Sequence, residues 1–129
     1  MLIIILTGIL LILHGLVHVL YAGQSVHLFE LRPGMNWPDE GWVLGRQSAD
    51  DATRFLVSIS LGLASLGFSA GGVGLLLSRD WWQILAIGAA VLSTMIFAVF
   101  WDGKRQSLAD NGGIGVFINL AILALALLI

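Results

Sequence analysis

Two histidines one helical turn apart, His14 and His18, are the side chains best placed for chemistry in this chain, and His27 follows a little further on. Imidazole changes charge near neutral pH, so it can relay protons, donate or accept hydrogen bonds, or bind a metal. At i and i+4 the pair shares one helix face. It belongs to a longer stripe, Thr7, Leu11, His14, His18, Tyr21 and Ser25, spaced by fours and threes. Three readings are open. The rings could be neutral and hydrogen-bonded to Asn119, to Ser or Thr hydroxyls, or to backbone carbonyls. They could line a small polar pocket for a quinone or similar ligand, or pass protons. They could bind a metal or haem.

Chemistry argues against the metal reading. An i, i+4 pair offers two ligands from one side, whereas zinc takes three or four. The chain has no cysteine, and no carboxylate lies in any of its apolar stretches to complete a set. One haem needs axial ligands on opposite faces of the iron, so these neighbours could not both serve, although His14 could pair with a histidine of another chain. The acids lie at interfaces and the histidines lie deep, so no Ser-His-Asp arrangement is expected. The expected ligand-binding or polar-core residues are His14, His18, Tyr21 and Asn119, with no catalytic residue, no metal site and no required cofactor.

The elements that must position these residues are apolar. Met1–Tyr21, Phe55–Leu77, Trp81–Trp101 and Ile114–Ile129 contain no Asp, Glu, Lys or Arg. A helix of about 20 apolar residues crosses a bilayer core; the first three stretches reach that length and the fourth falls slightly short. The chain is 58% hydrophobic and 11% charged, against roughly 25% charged in soluble domains. The expected fold is all-α: one domain over 1–129, an integral membrane four-helix bundle with helices over about 1–23, 54–77, 80–101 and 113–129. A long interfacial loop joins the first two helices. The first stretch lacks the basic start and small-residue cut of a signal peptide, so it reads as a retained helix. A net charge of −2 is too small to imply nucleic acid.

Small residues set the expected packing. Gly8, Gly15 and Ala22 flank the histidine stripe; Ser58, Gly62, Ser65, Ser69 and Gly72 repeat the pattern on the second helix, beside Gly67-x-x-x-Gly71. Such spacings bring membrane helices into backbone contact. Ser78-Arg79-Asp80 makes a tight hairpin whose Ser or Asp could cap the third helix, and Ser48–Asp51 could cap the second. The long connection Gln24–Arg54 carries Pro33, Pro38, Trp37 and Trp42. Tryptophan favours the headgroup level, ring buried and N–H wet. Arg54 with Asp102 would form an interfacial ion pair. Arg32, Arg46, Arg54, Lys104 and Arg105 fall on one side and Arg79 on the other; this bias puts the long loop in the cytoplasm and both termini outside.

His14-Gly-Leu-Val-His18, Arg79-Asp-Trp-Trp82, Trp101-Asp-Gly103 and Asn111-Gly-Gly-Ile-Gly115 with Ile118-Asn119-Leu120 resemble strings in uncharacterised bacterial four-helix membrane proteins, similar to the broad DoxX-like group. That resemblance implies a bacterial inner-membrane location and, through some relatives, quinone-coupled redox chemistry. The Pro/Trp loop departs from the pattern. The expected function is an accessory or structural subunit, packed in the lipid bilayer against other membrane subunits or as a homo-oligomer. The alternatives are a quinone- or cofactor-binding protein and a small transporter or channel. Small cation exporters need an intramembrane carboxylate, which this chain lacks.

Overall fold

A computed structural model of the protein describes residues 1–39, 50–101 and 113–129. It contains four helices, α1 (Leu2–Ser25), α2 (Asp51–Leu76), α3 (Trp82–Val99) and α4 (Gly113–Leu128), and no strand among the described residues. The first three are long and apolar enough to cross a membrane. At 16 residues, α4 extends about 24 Å, short of a hydrocarbon core of about 30 Å.

The helix ends follow from local hydrogen bonding. Asp50 caps α2, its carboxylate accepting from the Thr53 N–H at 2.7 Å. Ser48 lies outside the described residues. α1 and α2 both stop at a residue in the left-handed region, His27 at φ 60° and Ser78 at φ 55°. In each case two backbone N–H groups fold back on the last turn. His27 and Leu28 donate to Gln24 and Gly23, and Ser78 and Arg79 donate to Leu75 and Gly74. This closure normally uses glycine, because other residues pay for the positive φ. It also corrects the expected capping of α3. Ser78 belongs to the end of α2, and α3 begins after Trp81 with no side-chain cap.

Helices next to one another in sequence pack together, and α1 also meets α4 along a narrow strip. Missing side chains make the closest approaches possible. A Cβ built on Gly72 would lie 2.6 Å from the Gly8 carbonyl oxygen, and one on Gly15 would lie 2.9 Å from that of Ser65. On the other side of α2, Gly67 of the GxxxG pair faces Ala89 and Gly71 faces Trp82 and Ala86. Leu11, Ala64, Phe68, Ala86, Ala90, Ile122 and Ala126 are buried between the helices, while Leu2, Leu6, Leu13, Leu63, Leu66, Ile84 and Leu127 point outward. Glycines and alanines at the close approaches sit among a few larger side chains, beneath a bulky apolar exterior. Such a core suits a protein packed in lipid, where burial in water is not what brings helices together.

The described start of the long connection, residues 26–39, folds against the helix ends. Gln24, fully buried, holds it. Its amide nitrogen donates to the Met35 and Trp37 carbonyls at 3.1 and 3.3 Å, and its oxygen accepts from the Leu31 N–H at 2.8 Å. Trp37 then packs beside Tyr21, Phe97 and Phe100. The indole differs from the expectation for an interfacial tryptophan. It is 2% exposed, and its N–H is buried with no hydrogen-bond partner among the described residues. Trp42 lies outside the described residues.

Gly72→Ala should force α1 and α2 apart, lowering stability by about 1–3 kcal/mol, a typical cost of overpacking. Gly62→Ala has open space around the new methyl and should be neutral or slightly stabilising. Thermal unfolding in detergent, followed by circular dichroism, reads both; equal effects would contradict the assigned faces.

Candidate functional site

All four helices contribute to one buried polar layer. His14 and His18 come from α1, Phe68 from α2, Ser93 and Thr94 from α3, and Asn119 from α4. His14, His18, Ser93 and Asn119 are each at most 4% exposed. The helical period places the two histidines on the inner face of α1, and Gly15 beside them lets α2 approach. Phe68 is fully buried against both rings, with centroids 4.7 Å from His14 and 5.0 Å from His18. The imidazoles meet edge to face at 4.6 Å.

Hydrogen-bond partners assign the protons. Nδ1 of His18 faces the His14 carbonyl at 2.8 Å; a carbonyl only accepts, so Nδ1 carries the hydrogen. Nε2 of a neutral His18 is then an acceptor, and the Ser93 hydroxyl donates to it across 2.6 Å. With its one proton committed, Ser93 Oγ accepts from the Asn119 amide at 3.0 Å. The second amide hydrogen goes to Thr94 Oγ1 at 3.1 Å. The Asn119 oxygen, 2.7 Å from His14 Nε2, accepts from that ring. Turning the Asn119 amide over would make Ser93 donate to it, and His18 would then need hydrogens on both nitrogens. The observed arrangement therefore satisfies every contact with neutral rings, the less costly state away from water.

Magnitude decides what this layer does for the fold. Hydrogen bonds between membrane helices average about 0.6 kcal/mol, whereas an unpaired polar group in hydrocarbon costs several. Mutual pairing mainly removes a penalty. It also connects helices that otherwise touch little, since His14–Asn119 crosses the narrow α1–α4 strip and His18–Ser93 joins α1 to α3.

Of the expected residues, His14, His18 and Asn119 meet directly. Tyr21 sits one turn along α1, half-buried, its ring against Phe97 at 5.0 Å and Trp37 at 5.5 Å. Phe97 also touches His18, so a continuous run of rings leads from the polar layer to the end of the molecule. Arg54 lies at that end. Its Nε and one terminal nitrogen donate to the two oxygens of Asp39 at 2.9 and 2.8 Å, and its other terminal nitrogen donates to Asp51 at 3.0 Å. His27 Nε2 adds a 3.2 Å contact to Asp39. Asp102, expected as the partner of Arg54, lies outside the described residues. Among the described residues no three His, Asp or Glu side chains gather as a metal site.

Sequence reasoning passed over Phe68, Gln24 and Asp39. Gln24 had a readable signal, a lone amide next to the histidine stripe. Asp39 is 15 positions from Arg54, and Phe68 is one of six phenylalanines, so neither announces itself. Burial by itself pushes the Asp39 carboxyl up, but the hydrogen bonds and charge of Arg54, with His27 contributing, hold it below the ordinary carboxylate range. No family model, curated protein or solved structure matches this chain.

Asn119→Leu strips partners from His14, Ser93 and Thr94 together and should cost about 1–3 kcal/mol. Thr94→Val should cost well under half of that. A double-mutant cycle between His14 and Asn119 in detergent unfolding should show coupling, and strict additivity would exclude the assigned bond. The depressed Asp39 value fixes a sign for pH. Stability from its pairing is present above the unfolded carboxylate range, about pH 4, and is lost as pH falls through the lower folded value. Thermal unfolding of Asp39→Asn should begin lower at neutral pH and lose less on acidification than the unmodified protein.

Proposed function

We propose that this chain is an integral membrane four-helix bundle that serves as an accessory or structural subunit, packed against a larger membrane complex or further copies of itself. The observation that carries this reading is the mutual pairing within the buried polar layer. The Asn119 amide, the Ser93 hydroxyl and both ring nitrogens of His18 are engaged by one another or by backbone, which leaves His18 no lone pair for acid–base work. Outward positions with no side chain support contact with other helices. Gly62 and Gly88 have nothing within 4 Å of where a Cβ would stand. The Lys/Arg bias supports a cytoplasmic side for the end bearing Arg32 and Arg54, and the resemblance supports a bacterial inner membrane.

A second reading rests on His14. The neutral assignment leaves its Nδ1 lone pair unused by Asn119, Ser93 or Thr94. Gly115 on α4 is the opposing position, a Cβ there lying 3.9 Å from His14 Cε1. An apolar ligand with a hydroxyl, a quinol among them, could donate to that nitrogen between α1 and α4; the DoxX-like resemblance points the same way.

Purification from native membranes in mild detergent separates the readings. The subunit reading expects a species larger than the monomer, reduced by Gly62→Leu and Gly88→Leu. The ligand reading expects an extractable quinone whose retention falls in His14→Ala. A colourless, quinone-free monomer unaffected by any of these substitutions contradicts both.

A further inference from the structure

The end of the molecule away from the hairpin holds a cavity of about 680 Å³ lined by Val26, His27, Asp51, Ala52, Arg54 and Phe55. It lies where α1 ends and α2 begins. If these helices cross a membrane, as the functional reading holds, that level is the headgroup region. Val26, Ala52 and Phe55 make its apolar wall, and Phe55 and Leu56, each 62% exposed, continue outward along α2 where an acyl chain would run.

The charges choose among headgroups. Arg54 brings N–H donors to the cavity, while His27 Nε2 already contacts Asp39 at 3.2 Å. A guanidinium has five N–H groups, and among the described residues the three contacts to Asp39 and Asp51 leave two for a phosphate. Asp39 already balances Arg54, and the Asp51 side chain, fully exposed at the rim, adds a negative charge. Among the described lining residues a purely anionic headgroup therefore meets no net positive charge. A zwitterion fits both signs, with phosphate on the Arg54 side and a cation on Asp51. A primary ammonium can donate hydrogen bonds to that carboxylate and a quaternary one cannot. We infer that this cavity is a binding site for the headgroup of phosphatidylethanolamine.

The test places the full chain in nanodiscs of equal parts phosphatidylethanolamine, phosphatidylcholine and phosphatidylglycerol, then quantifies retained lipid by native mass spectrometry. Phosphatidylethanolamine should exceed each of the others by about threefold, under 1 kcal/mol of preference. Asp51→Asn, which leaves the Arg54–Asp39 pair in place, should abolish preference over phosphatidylcholine. Ala52→Phe, which pushes a ring into the apolar wall, should lower retention severalfold. Equal retention of all three lipids, preference for phosphatidylglycerol, or a preference unchanged in Asp51→Asn overturns the inference. Alkaline carbonate extraction of cell membranes keeps the two readings apart. A chain released by carbonate contradicts membrane insertion itself, whereas a chain that resists carbonate without selecting this lipid contradicts only the headgroup site.

Discussion

Polar atoms in a greasy interior have nowhere to turn but to each other, and this structure is organised around that constraint. The His14–Asn119 hydrogen bond meets it at the weakest point of the packing. α1 and α4 touch along only a narrow strip, yet each carries a side chain that hydrocarbon would penalise. Joining them turns two separate costs into one paired contact. Ser93 and His18 extend the solution to α3, so one amide and one hydroxyl hold three helices in register. Phe68 closes the layer from α2, its ring packed against both imidazoles.

The same constraint is met differently at the end of the molecule. There the groups are charged as well as polar, and the pairing is ionic. Asp39 receives Arg54 through two parallel hydrogen bonds, the strong geometry for this pair. Gln24 does in the adjoining turn what Asn119 does in the core, using both ends of one amide to hold backbone that would otherwise be loose. Trp37 is the exception. Its ring packs against Tyr21 and Phe97 under the connection, while its N–H has no partner among the described residues.

How much could be read beforehand varied with the kind of signal. The four helices were legible because charge-free stretches of this length leave few other options, and their observed ends fall within about three residues of the expected ones. The α1 stripe was legible from its period, and the Gly67–Gly71 pair from its spacing. The two non-glycine closures were not, since nothing about His27 or Ser78 marks a left-handed residue. Nor was the Arg54–Asp39 pair. Several carboxylates were candidates for Arg54, and only the path of the connection brings one of them close.

By itself the sequence determined which faces of the helices carry hydrophilic atoms, because periodicity is a local property of each helix. It also determined that three of them are long and apolar enough for a membrane. Only the tertiary structure decided which atoms pair, because a hydrogen bond such as His14–Asn119 depends on angstrom-scale placement of residues 105 positions apart. The proton on the His18 ring follows from the same placement: a ring nitrogen is donor or acceptor according to the atom it meets, and composition and spacing do not specify that atom.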